Sequence, residues 1–91
     1  MGILISQDRD WFFVVSEIAN IQIEQSRLDL WKNGESSHMS VWYVIIGCKD
    51  AKRYTVGMFY AEDTAVKVVN NIIHAMSATT GYTIPKDERK D

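Results

Sequence analysis

The sequence predicts an α+β fold: a curled antiparallel sheet of five or six strands, partly closed like a barrel, followed by one C-terminal amphipathic helix. Three observations carry this expectation. Apolar residues alternate at period two through the first two-thirds of the chain, and at Glu62 the period changes to about 3.6. Residues 39–46 are apolar on both faces of a strand, so there is more sheet surface to cover than one helix can hide.

Each element follows in order. Ile3, Leu4 and Ile5 open a short strand, and Gln7-Asp8-Arg9-Asp10 is a run of turn formers. Trp11-Phe12-Phe13-Val14-Val15 has the aromatic and β-branched content of a second strand. Ile21 and Ile23 then alternate with Gln22 and Glu24, and Leu28 and Leu30 alternate with Asp29 and Trp31 in the next stretch. Asn33-Gly34 marks a tight hairpin, because a type I′ turn needs positive φ at both central residues. In residues 39–46 one face takes Met39, Val41, Tyr43 and Ile45, and the other takes Trp42, Val44 and Ile46. Lys49-Asp50-Ala51-Lys52 makes another turn, and residues 53–60 return as a strand. Ala65, Val68, Val69, Ile72, Ile73 and Met76 fall on one side of a helix. Glu62 and Asp63 suit its positive end, and Gly81 offers a left-handed stop. Residues 1–81 read as one domain and 82–91 as a charged, flexible tail.

Composition excludes several classes. At 46% apolar and a net charge of −2, the 91 residues are too hydrophobic for disorder and offer no long-range attraction to nucleic acid. No apolar run reaches the roughly 18–20 residues that cross a bilayer. The lone Cys48 makes neither an internal disulfide nor a thiolate metal site, which points to the cytoplasm. Met1-Gly2-Ile3-Leu4-Ile5-Ser6 fits an N-acylation pattern, but the same residues read as the opening strand, and no membrane anchor is expected.

Candidate chemistry is sparse. Asp8-x-Asp10 is two carboxylates in a turn, too few for a metal ion. His38 and His74 have no partners at ligand spacing and read as a loop histidine and a helix-surface histidine. Cys48 reads as a small buried hydrophobe. No phosphate-cradling glycine loop, nucleophile elbow or H-E-x-x-H pair is present, so neither an enzyme nor a cofactor is expected. Lys49, Lys52 and Arg53 cluster near Tyr54 with Asp50 among them, which is the pattern of a solvated hairpin tip. Trp31 and Trp42 are the interface candidates, because large aromatics on strands anchor protein contacts.

Two stretches suggest a family. Ile5-Ser6-Gln7-Asp8-Arg9 resembles the opening I-R-S-Q-D-K of a group of short bacterial and prophage proteins, and residues 56–72 resemble their closing L-G-x-Y-x-S/T-E-E-x-A-x-x-V-L-x-E-I. The likeness covers about a quarter of the chain. Ala61 stands where the group has a Ser or Thr helix cap, and the region from Asn33 to Lys52 is longer and more aromatic. The resemblance implies a strand-rich body with one C-terminal helix and a bacterial or mobile-element origin; it transfers no catalytic residue.

The surplus apolar face can be closed by barrel formation, by a second copy or by a ligand. The expected function is therefore a non-enzymatic binding module, homodimeric or bound to another protein through an aromatic sheet face. Trp31, Trp42 and Tyr43 would form the contact, with Lys52 and Arg53 at its rim. The alternative is a phage counter-defence protein that sequesters a nucleotide messenger or inhibits a host defence protein.

Overall fold

Asn33 and Gly34 take φ of 55° and 78°, as the type I′ hairpin requires, and the two longest strands grow from that turn. The computed structural model describes residues 2–87. Within them the order is β1 (Ile3–Ile5), β2 (Phe12–Val14), a 3₁₀ turn (Val15–Glu17), β3 (Ile18–Lys32), β4 (Glu35–Cys48), β5 (Arg53–Phe59), α1 (Glu62–Ala78) and β6 (Tyr82–Thr83). The fold is α+β, but it is not one curled sheet. The strands divide into an antiparallel sheet ordered β3-β4-β5 and a mixed sheet ordered β2-β1-β6, in which β1 pairs antiparallel with β2 and parallel with β6. Neither sheet closes into a barrel.

The reason lies at the outer edge of β5. Val44 pairs with Gly57 and Ile45 with Thr55, so Val56 is an extra residue in β5. Its carbonyl accepts the Gln7 N–H at 2.8 Å. The Gln7 side chain then acts as a false strand: its amide donates to the Met58 carbonyl at 3.0 Å and accepts the Met58 N–H at 2.9 Å. With that edge occupied by a side chain, no further strand can pair there.

Alternation assigns the faces of the large sheet. Ile21, Ile23, Trp42, Val44, Ile46 and Tyr54 share one face by register, and all belong to or pack against the main core cluster. That cluster also holds Ala65, Val68 and Ile72 from α1 and Leu4, Phe13 and Ile84 from around the small sheet. Helix and small sheet therefore lie on the same side. Met39, Val41, Tyr43, Ile45 and Met58 occupy the opposite face and contribute nothing to the cluster, although Val41 and Ile45 are themselves buried. On this face Val41 and Ile45 are closed off from solvent, and Met39, Tyr43 and Met58 are half-buried.

Two local expectations change. The helix stops at a left-handed Thr79 (φ 52°), ahead of Gly81. Gly81 instead lies close under β1, where an added Cβ would meet the Ile3 carbonyl oxygen at 3.2 Å. Residues 82–84 do not begin a tail: β6 pairs with β1, the Ile84 N–H donates to the Ile5 carbonyl at 3.0 Å, and Ile84 is fully buried. The Asp87 carboxylate accepts the Tyr60 N–H at 2.8 Å, and the rest of the charged run lies outside the described residues. Gly2, which fits the acylation pattern set aside in favour of the opening strand, is buried, and a Cβ there would come within 2.3 Å of the Thr80 carbonyl oxygen; Met1 lies outside the described residues. No described helix is long and apolar enough to cross a membrane.

Candidate functional site

β3 and β4 run on past the core. The last pair on the helix side with a core contact is Gln25 with Trp42, and seven further pairs follow, from Ser26–Val41 to Lys32–Glu35. At ~3.4 Å per residue this is an arm of roughly 24 Å. It accounts for the elongated shape, 49 × 25 × 21 Å. A two-stranded ribbon with solvent on both sides is marginal in water. The arm holds itself together by its turn and by the contact of His38 Nδ1 with the Asp29 carboxylate across the strands at 2.5 Å, with Arg27 3.6 Å from the same carboxylate. His38 is thus a strand residue, not a loop residue. The arm's Arg27 and Lys32 are balanced by Asp29 and Glu35, so it presents no basic track for a phosphate backbone.

The outer edge of β3 is the largest unsatisfied element. It is 15 residues long and pairs only with β4; apart from the Ile18 N–H, which donates to the Val15 carbonyl, none of its backbone groups is bonded to another described segment. Natural edge strands are blunted by shortness, Pro, charges or bulges. β3 contains no Pro or Gly and its one irregularity lies at its start, between Ile18 and Asn20; its charges, Glu24, Arg27, Asp29 and Lys32, are of both signs and leave the backbone ladder intact.

The expected contact residues do not converge. Trp31 sits near the arm tip, 76% exposed, on the helix-side face. Trp42 and Tyr43 are neighbours on β4 and so point to opposite faces: Trp42 half-buried against the core, Tyr43 half-buried on the far face. Trp42 Nε1 is buried without a hydrogen-bond partner. Lys52 and Arg53 are exposed at the β4–β5 turn, the opposite end of β4 from Trp31. What unites Trp31 and Tyr43 is the β3–β4 ribbon itself, not one face of it.

A concave feature lies where β2, the 3₁₀ turn and the β4–β5 turn meet. This cleft of about 300 Å³ is walled by Trp11, Phe12, Phe13 and Tyr54, with Glu17, Cys48 and Asp50 completing it. The Trp11 and Tyr54 rings are 5.3 Å apart and tilted at 46°; Phe13 and Tyr54 are 4.9 Å apart at 53°. Trp11 and Phe12 remain 52% and 64% exposed. Sequence reasoning missed this group because only the tertiary fold brings β2 over the start of β5; spacing two residues apart does place Trp11 and Phe13 on one side. Burial first, and then the Asp50 and Glu17 carboxylates, push the Cys48 thiol above its ordinary pKa.

The remaining candidates have structural roles. The Ser6 hydroxyl donates to the Asp8 carboxylate at 2.8 Å and accepts the Trp11 N–H at 3.1 Å, and the Asp10 N–H also reaches Asp8. These bonds, the Ser6 one foremost, hold the Asp8 carboxyl below its ordinary value. Asp8-x-Asp10 is therefore a turn lock, and no group of His, Cys, Asp and Glu suited to a metal ion occurs among the described residues. No protein-family model matches the chain, and neither a curated protein nor a solved structure matches it.

Proposed function

We propose that the chain is a non-enzymatic interaction module that works in the cytoplasm and pairs with a second copy of itself along β3. The observation that carries this reading is the 15-residue β3 edge with no partner. Two identical edges can pair antiparallel about a two-fold axis, each supplying the same surface to the other. The product is a six-stranded sheet in which each arm, with its exposed Trp31, lies along the body of the other copy. Ribbons that are marginal alone gain a third strand. Lys52 and Arg53 lie at the other end of β4 and take no part in the seam.

The bacterial or prophage origin rests on the resemblance of the two end motifs. The nucleotide-sequestering alternative draws no support from the cleft beside β2, which is lined by Glu17 and Asp50 and by no Lys or Arg that could hold a phosphate.

Light scattering coupled to size exclusion tests the pairing. The expected mass is twice 10.4 kDa. Along an edge strand successive N–H groups point alternately to the neighbour and to solvent. Of Ser26→Pro and Arg27→Pro, one therefore removes a β4 bond and the other only a free-edge donor. The folded member of the pair should run as a monomer. A monomeric parent protein, or a dimer that survives the free-edge proline, overturns the reading.

A further inference from the structure

The cleft beside β2 combines two properties that a purely structural cluster does not need together. Its walls are aromatic and two of its rings stand largely in solvent. The charged side chains lining it, Glu17 and Asp50, have one sign. Both carboxylates act on the Cys48 thiol in the same direction, and no cation offsets them there. Lys49, Lys52 and Arg53 are close in sequence, yet none of them lines the cleft.

An exposed indole face carries a negative quadrupole that attracts an organic cation, and the attraction grows where water is displaced by neighbouring rings. Carboxylates at the margin add a counter-charge without having to be buried. The volume, about 300 Å³, is at the small end of ligand clefts and too small for a dinucleotide-sized molecule. We propose that this cleft binds a small alkylated ammonium group, seated in the corner between Trp11 and Tyr54 with Glu17 and Asp50 as counter-ions. A free quaternary amine and a methylated lysine side chain present this same head.

Nuclear magnetic resonance titration of the full chain tests this, using choline, acetylated trimethyllysine amide and the neutral isostere 3,3-dimethylbutan-1-ol as probes. Choline should move the Trp11 indole N–H and the amides around Glu17, Cys48 and Asp50, and the neutral isostere should bind about tenfold more weakly. Trp11→Ala, at an exposed position, should weaken choline binding about tenfold, and Glu17→Gln with Asp50→Asn should weaken it several-fold with loss of its salt dependence. Tighter binding of choline assigns the head to a free molecule, and tighter binding of the lysine derivative assigns it to a protein side chain; each supports the cation site. Equal affinity for the neutral isostere, unchanged choline binding in folded Trp11→Ala, or no movement of Trp11 resonances at millimolar choline overturns it. The seam along β3 and this cleft involve different elements, so either can fail alone.

Discussion

Gln7 is the residue whose replacement most directly tests how the large sheet is terminated. Its side chain makes three bonds: to the Met58 carbonyl at 3.0 Å, from the Met58 N–H at 2.9 Å, and to the Pro85 carbonyl at 3.0 Å. The Pro85 bond is exposed and water replaces it at little cost. The two Met58 bonds are partly buried, and at ~0.5–1.5 kcal/mol each they predict a loss of about 2 kcal/mol in Gln7→Ala. In a domain of this size that lowers Tm by roughly 8–16 °C. Gln7→Glu separates hydrogen bonding from shape. Its carboxylate keeps an acceptor for the Met58 N–H but faces two carbonyl oxygens, so ionisation is disfavoured in the folded state. The folded pKa is then raised, the variant is least impaired below the unfolded value of about 4.3, and the deficit grows as pH rises through the folded value. Urea unfolding of the three proteins, followed by tryptophan fluorescence at about pH 4 and pH 7, reads both effects. A Gln7→Ala loss below ~0.5 kcal/mol, or a Gln7→Glu deficit that does not change with pH relative to the parent, refutes the edge-capping argument.

Other outcomes follow from the same geometry. Ala61 caps α1 with no side-chain bond, so Ala61→Ser should raise unfolding stability by about 1 kcal/mol in denaturant titration. Replacing the left-handed Thr79 by Gly should also stabilise, by roughly 1 kcal/mol. Asp8 has a lowered folded pKa, through Ser6 first and the Asp10 N–H second; its contribution is full above the unfolded value near ~3.9 and disappears as pH falls through the folded value. Asp8→Asn should therefore flatten that part of the acid limb in urea midpoints measured against pH. The Cys48 thiol is held protonated by burial, Asp50 and Glu17, so alkylation by iodoacetamide near pH ~8.5 should be slower in the folded chain than in urea, and Glu17→Gln with Asp50→Asn should speed it.

Local chemistry was legible in the sequence and long-range pairing was not. Asn33-Gly34 dictated its own turn, and the helical stripe from Ala65 to Ile72 found the core, because both depend on residues within a turn or two of each other. At the end of that stripe Ile73 is 49% exposed while Ala75 is buried, so the stripe drifts around the helix as α1 crosses the sheet. The two-faced strand at 39–46 was also legible, as was the conclusion that one helix covers one face of it. The single curled sheet was the error. β1, β2 and β6 are two or three residues long, and the parallel β1–β6 pair joins the two ends of the described chain, a contact that no local pattern announces. The alternation around Ile21 and Ile23 and that around Leu28 and Leu30 do not announce the long edge of β3, because Ser26 and Arg27 interrupt the hydrophobic pattern without interrupting the backbone ladder. Trp42 and Tyr43 were named together although adjacent strand residues face apart.

The two end motifs and the middle of the chain do different work. Ser6, Gln7, Asp8 and Arg9 make their hydrogen bonds inward: to each other, to Trp11, to β5, and from the Arg9 guanidinium to the Ile84 carbonyl. Residues 56–72 supply the bulge, the buried Phe59 and the helix face that completes the core. These two stretches hold the body together, because their side chains are committed to it. The surfaces left free, the β3 edge, the arm with Trp31 and the cleft around Trp11, draw mainly on residues between the motifs. A binding specificity of its own can change there without disturbing the scaffold, since substitutions on the arm or at Trp11 leave the hydrogen bonds of the end motifs in place.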